Sequence, residues 1–287
     1  MGDGESDLLP TAERDGEMVP VSVYVLTHNN RRTIERCLRS LQWADELIVV
    51  DSFSNDGSFE VAKKMAGRVI QRSWPGFREQ YQYAADLTRN EWIMFVDADE
   101  EVEPELVDEI RRELEQNHGE WDGYICHRRT FYLGRWIAHG GWYPDYEIRL
   151  YRRHKGRWMG DLHAKVVVEG RVKHLKHHYL HYTYRDISDQ IQTIDRYSRT
   201  TAQEMAASGK RSSLPRLLFR PPFRFLKEYL LKGGFRDGVP GLVIAVCTTF
   251  YVFVKYAKLW ELERTSKFGD KEGQGEGWGG VFPGESS

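Results

Sequence analysis

The chain has 287 residues, enough for one large domain or two small ones, and 40% hydrophobic with 29% charged content rules out a chain disordered throughout. A formal net charge of −2 provides no global field to select a polyanionic partner. Three cysteines, Cys37, Cys126 and Cys247, form no CxxC pair, which argues against a disulfide framework and for reduced thiols in a cytosolic protein.

Residues 1–19 are polar and acidic and read as a disordered leader, with no signal peptide. "VSVYVLTHN" (21–29) is short, β-branched and apolar, the pattern of a buried strand. In 31–44, Ile34, Leu38 and Leu41 recur at helical spacing between arginines. "ELIVVD" (46–51) is a second buried strand that ends in an acid. An Asp56-Gly57 turn follows, then a helix closed by Gly67. A third strand (68–73), a helix (77–88) and a fourth strand, "WIMFVDAD" (92–99), come next. The helix of 103–117 carries Pro104 in its first turn. This β-α alternation with uninterrupted apolar strands predicts a parallel sheet covered on both faces. Ligands of such sheets bind beyond the carboxyl ends of the strands, where Thr27–Asn29, Asp51-Ser52 and Asp97–Asp99 fall.

After residue 120 the pattern changes. Segments 123–134, 146–153 and 163–172 read as strands between Gly- and Trp-rich loops, and 186–209 reads as a helix starting near Asp186 or Ser188. "HLKHHYLHYTY" (174–184) holds four histidines, which strand alternation splits between two faces. That argues against structural zinc and leaves His181 or His163 as contacts for a metal or diphosphate. From Lys210 to Arg236 eight cations face one acid, Glu228, with Leu and Phe interleaved, the composition of an interfacial helix on anionic lipid. No module for nucleic acid is present. Residues 238–254 are uncharged, at the lower limit for a membrane span. With Pro240 and Gly241 shortening the run, a helix buried against the domain or dipping into one leaflet is the preferred reading. The Gly-rich end reads as a flexible tail.

Asp97-Ala98-Asp99 is a DxD, whose hard oxygens can hold Mg²⁺ or Mn²⁺ and through it phosphate oxygens. It ends the fourth strand of the series, and a second acidic turn, Asp51 to Asp56, ends an earlier one. Taken together, "SVYVLTHNNRRTIERCLRSL", "ELIVVDSFSNDGSFEVA" and "WIMFVDADEEVEPEL" resemble the nucleotide-sugar signatures of family 2 inverting glycosyltransferases on the GT-A fold. "GWYPDYEIRLYRR", "GDLHAKVVVEG" and "FRPPFRFLKEYLLKGGFRDGVPGLVIA" are similar to the branch that builds lipopolysaccharide inner core, typified by a β-1,4-glucosyltransferase acting on core heptose.

The resemblance implies an α/β, GT-A (Rossmann-like), mostly parallel sheet flanked by helices, with a C-terminal helical membrane-associating extension. The implied division is a catalytic domain over 20–185 (nucleotide-sugar half 20–120, acceptor half 121–185), a basic amphipathic helical region over 186–265 and a flexible tail over 266–287. It further implies that Thr27 and Asn29 line the nucleotide pocket, that Asp51 meets base or ribose, and that Arg78 reaches base or phosphates. Asp97 is then expected at the ribose and Asp99 at the metal, with Asp97 as a second ligand. In "DSFSNDGS" Ser52 and Phe53 stand where the family has Asp and Gly, so detailed base contacts differ.

Inverting transfer needs one general base on the acceptor side. Asp145, in an aromatic setting, is the choice, and Asp161 is its rival. The family's His-Glu is His163-Ala164 here, so no Glu at that position can serve. Arg149, Arg152, Arg153 and His163 are candidate diphosphate contacts. The expected function is metal-dependent transfer of a hexose from a UDP-sugar to a lipid-linked saccharide at the inner face of the cytoplasmic membrane, with an anionic membrane surface as partner. A sugar nucleotidyltransferase would need a Gly-rich phosphate loop after the first strand, which "VLTHNNRR" lacks; a noncatalytic sugar- or membrane-binding module would bind UDP without turnover.

Overall fold

A computed structural model describes residues 18–160 and 164–269. The expected leader through residue 17, the tail from 270, Asp161 and His163 lie outside these residues. In chain order the elements are β1 (Val21–Thr27), α1 (Ile34–Ser40), β2 (Glu46–Asp51), α2 (Ser58–Met65), β3 (Arg68–Gln71), α3 (Phe77–Asp86) and β4 (Trp92–Asp97). Then come β5 (Glu100–Val102), α4 (Pro104–Glu115), β6 (Gly123–Tyr132), β7 (Arg135–Trp136), β8 (Asp145–Arg152), β9 (Gly156–Met159), β10 (Lys165–Val168) and β11 (Val172–Tyr182). The last three are helices: α5 (Ile187–Ala207), α6 (Leu214–Phe225) and α7 (Gly238–Gly269).

The chain divides into two compact units. Unit 1 comprises the chain to Arg129 together with Asp145–Tyr182. Its central strands are buried at nearly every position because both faces are covered. Val23, Val25 and Met94 point into one core with Leu38 of α1 and Ile110 of α4. Tyr24, Ile48 and Phe95 point into the other, with Ala84 of α3 and Trp158 of β9. At about 25 cal/mol per Å² of apolar surface removed from water, these two layers supply the main driving force for the unit.

The sheet runs β3-β2-β1-β4-β8-β6-β11-β5, with β7 paired to β6. The pairs β3–β2, β2–β1 and β1–β4 are parallel. From β4 onward, β4–β8, β8–β6 and β11–β5 are antiparallel. The sheet is therefore mixed rather than mostly parallel. A helical crossover, which parallel pairing needs, is missing between β6 and β8 and again from β8 to β11. The strand expected over 163–172 is likewise two strands, β10 and β11, broken at Gly170, whose φ of +134° favours glycine.

Among the described residues, unit 2 comprises Thr130–Pro144 and 183–269. It contains the β6–β7 corner and α5 to α7. Asp186 caps α5 by accepting from the Asp189 amide at 2.8 Å, the start the sequence suggests. Asp237 is fully buried and accepts from the amides of Ala138 (3.1 Å) and His139 (2.8 Å), fixing that corner. Ala202 of α5 packs with Val252, Tyr256 and Leu259 of α7.

Candidate active site

Register decides where the chemistry sits. Thr27 pairs with Asp51, and Leu26 pairs with Asp97, so β1, β2 and β4 end level with one another. The end of β4 is a tight turn. Ala98 is buried, and the amide of Asp97 donates to Glu100 Oε2 at 2.9 Å. This closure leaves the Asp97 and Asp99 side chains 30% and 35% exposed. Tyr81 of α3 donates its hydroxyl to Asp97 Oδ1. His181 Nε2 lies 3.4 Å from Asp99 Oδ2.

Behind the turn lies Arg149. Its guanidinium is sandwiched between the rings of Phe95 (4.1 Å) and Tyr179 (4.4 Å). It donates to both oxygens of Glu100 (2.7 and 2.8 Å) and to Glu147 (2.6 Å), and stands 3.6 Å from Asp97. An unpaired guanidinium would not survive burial at 1% exposure. Here the surrounding acids outweigh burial and hold it protonated, its pKa well above the ordinary value. The expectation that Arg149 meets a diphosphate is thereby corrected: the side chain braces the acid turn from beneath and does not face solvent.

On the acceptor side Asp145 opens β8, at 32% exposure, and accepts from Arg128 Nε at 2.9 Å. Two residues on, Glu147 shares the face; burial opposes its ionisation, but Arg149 and Arg128 prevail and hold it below the usual carboxylate range. Four carboxylates (Asp97, Glu100, Asp145 and Glu147) thus share two guanidiniums, Arg128 and Arg149, while Asp99 faces His181. Burial, resisted by Arg149 and reinforced by the neighbouring charge of Asp99, pushes the Asp97 carboxyl up. Burial acts the same way on Asp99, but His181 overcomes it and draws that carboxyl down.

The nucleotide side is a loop pair held by its own polar side chains. Asn29, at φ +56°, donates its amide to Ser54 Oγ (2.9 Å) and accepts from the Asn55 amide (2.9 Å). Thr27 is buried and bonds Asn30 at 3.2 Å. Asp51 is fully buried and accepts from the Ser54 amide (3.0 Å) and Gln71 (3.0 Å). Phe53, where the family has Gly, keeps the left-handed φ of +58° and is exposed. Arg78 lies in the first turn of α3, half-exposed and 3.9 Å from Glu79. Arg152 pairs with Glu91 and covers Trp92, which places it in the sheet margin.

The donor set fits a divalent cation of the Mg²⁺ or Mn²⁺ kind. Such ions keep several waters and take one or two carboxylates plus substrate phosphates. Asp97 and Asp99 supply that number in an acid-rich setting. Among the described residues no three His, Cys, Asp or Glu side chains converge as a closed metal cage. The histidines of 174–181 are dispersed: His177 bonds Glu109 (2.8 Å), His181 faces Asp99, and His174 and His178 lie beside His127.

Sequence reasoning missed Arg128, Glu147 and Tyr81. The signal for Glu147 was present, because period-two alternation along "DYEIR" places 145, 147 and 149 on one face.

The family model described as "Glycosyl transferase family 2" matches residues 22–168. A lipopolysaccharide core biosynthesis glycosyltransferase, LpsC of Rhizobium meliloti, is 30% identical over 251 residues, covering 85% of this chain and 93% of the relative. An uncharacterized glycosyltransferase of Rickettsia typhi is 28% identical, over 87% of this chain and 90% of the relative. Among solved structures, S. aureus TarS 1–349 in complex with UDP-GlcNAc is 16% identical over 89% of this chain and 92% of that one, with a TM-score of 0.45.

Proposed function

The chain belongs to glycosyl transferase family 2, and on that premise we propose that it moves a hexose, with inversion, from a UDP-sugar to a lipid-linked glycan of the lipopolysaccharide-core kind, using a divalent cation. It works on the cytoplasmic side, held peripherally to the inner face of an anionic membrane. The observation that carries the reading is the half-exposed Asp97–Asp99 pair at the level ends of β1, β2 and β4, braced from beneath by Arg149. The likeness to LpsC supports the acceptor class.

Thr27, Asn29, Asp51 and Arg78 are assigned to the nucleotide, and Asp97 to the ribose and, with Asp99, to the cation. When bound, the cation supplies charge neutralisation for the departing diphosphate. Asp145 takes the proton from the acceptor hydroxyl. That oxygen forms its bond to the anomeric carbon from the face opposite the leaving group, and the bond from that carbon to the diphosphate breaks. Arg128 holds the Asp145 carboxylate through Oδ2 and fixes its aim. Asp161 and His163 keep their sequence assignments as rival base and diphosphate contact.

Asp99→Asn tests the cation assignment, since a neutral amide is a poorer ligand for a hard ion. Calorimetric titration with UDP, with and without Mn²⁺, should show the Mn²⁺-dependent gain in affinity lost in the variant. A variant that retains the whole gain removes Asp99 from the site. UDP binding with no turnover on any acceptor would favour the noncatalytic module instead.

A further inference from the structure

Thirteen of the 23 large hydrophobic side chains exposed among the described residues fall between Leu214 and Phe253. They form two stripes at helical spacing. On α6 and the turn after it the stripe runs through Leu214, Leu218, Phe223, Leu226 and Leu230; on α7 it runs through Val239, Leu242, Val246, Phe250 and Phe253. Both stripes face away from the cluster that joins the helices, to which Leu217 and Val252 belong. By length and hydropathy the helix through Gly234–Arg264 could cross a membrane. Its packing shows a different use. Over the same stretch its inner side lies against polar α5: Tyr251 bonds Thr201 at 3.0 Å, and Lys258 bonds Asp195 at 2.7 Å. A span would carry α5, with exposed Asp195 and Arg199, into hydrocarbon. Only one side of α7 suits lipid.

The charge beside the stripes identifies what covers them. Among the described residues, Arg216 and Lys227 have no carboxylate within ion-pair distance, and the two acids of the stretch, Glu228 and Asp237, are both buried, Glu228 on Arg224. Arg220 and Lys255 turn to the inner side, each over the ring of buried Tyr256. Two copies meeting through this face would set cations against cations. A bilayer rich in anionic lipid offers acyl chains for the stripes and phosphates for the cations.

We propose that the outer faces of α6 and α7 form a wedge that enters one leaflet of an anionic bilayer, with Leu242, Val246, Phe250 and Phe253 among the acyl chains and Arg216 and Lys227 at the lipid phosphates. The wedge rests on the membrane reading above and deepens it: attachment is chiefly apolar, and the polypeptide stays on one side.

The test is co-sedimentation of the full chain with sealed phosphatidylethanolamine–phosphatidylglycerol vesicles at 0.1 M and 1 M NaCl, about the range over which surface charge becomes screened. Wild type should remain bound at 1 M. Phe250→Asn with Phe253→Asn should bind at least about tenfold less at both salt concentrations, because the apolar part is insensitive to salt. Arg216→Gln with Lys227→Gln should bind less at low salt and like wild type at high salt. Should the α7 pair fail to fold, Leu218→Gln with Phe223→Gln carries the same expectation. A protease site added after Ser287 should be cut from outside on every bound molecule. Equal binding of wild type and both stripe variants, a protected C-terminal site, or a lipid-free dimer abolished by the stripe substitutions would each overturn the wedge. Binding is read without donor or acceptor, so such a failure leaves the transferase reading standing; missing UDP release with intact vesicle binding strikes that reading alone.

Discussion

At the scale of single residues, the acid turn gains its function from what lies beneath it. Asp97 and Asp99 stay half-exposed because Glu100 closes the turn and Arg149 supports it. The DxD was legible as a sequence motif; the support was not. In "YEIRLYRR" Arg149 reads as a diphosphate contact, and the rings of Phe95 and Tyr179, brought in from distant strands, together with Glu100 and Glu147, make burial the better place for it. Asp145 is assigned as the base, so Asp145→Asn should leave UDP affinity within about twofold and lower turnover by about 10²–10⁴. Steady-state kinetics beside calorimetry checks this. Normal turnover in Asp145→Asn with a dead Asp161→Asn would transfer the role to Asp161.

At the scale of elements, the parallel half could be read because β1, β2 and β4 carry unbroken apolar runs (Val23–Leu26, Leu47–Val50 and Trp92–Val96), a pattern that only double-sided burial explains. β5 escaped notice because its acids, Glu100 and Glu101, look like a solvated run, whereas Glu100 is turned onto Arg149. The antiparallel half could be read as strands but not as an order, since pairing of β8 between β4 and β6 is set by packing of side chains far apart in sequence. A buried polar knot links the halves: Tyr24 and Tyr151 share a hydroxyl hydrogen bond of 2.7 Å, and Trp158 Nε1 donates to Tyr24 at 3.0 Å. Tyr24→Phe leaves two buried groups without that partner and should cost about 1–3 kcal/mol in denaturant unfolding. A loss under about 0.5 kcal/mol would mean that a water replaces the hydroxyl.

Glu109 ties α4 to β11 by accepting from the amides of Lys176 and His177 at 2.9 Å each. Burial opposes its ionisation, but these amides and the His177 side chain outweigh it and lower its pKa. The sign follows directly. A carboxylate depressed in the folded state stabilises fully above its unfolded pKa of about 4.3, and the contribution fades as pH falls through the lower folded value. Glu109→Gln should therefore reduce the melting temperature at pH 7 and flatten its fall below about pH 4.5. Parallel acid limbs in wild type and variant would show that Glu109 contributes no such linkage.

At the scale of the whole molecule, the chain forms two compact units of different surface chemistry, one built on the sheet and one mostly helical. The sequence suggests a division near residue 185; the two compact units change over between Tyr182 and Thr183. It also assigns Thr130–Pro144 to the helical unit, a return that no local pattern announces because the chain leaves and re-enters unit 1 in mid-sheet. The outer apolar stripe of α7 could be seen in composition, but which side of the helix is covered depends on α5 and was not legible.

Sugar transfer itself is tested most directly by nucleotide release. The full chain, with Mn²⁺ and a panel of UDP-hexoses, is assayed on vesicles carrying a truncated lipopolysaccharide core, alongside Asp145→Asn. One donor should yield UDP only when acceptor is present, with a product of inverted anomeric configuration by NMR and with release falling at least about 100-fold in the variant. UDP bound but never released across the panel, or release equal in wild type and Asp145→Asn, would contradict the assignment.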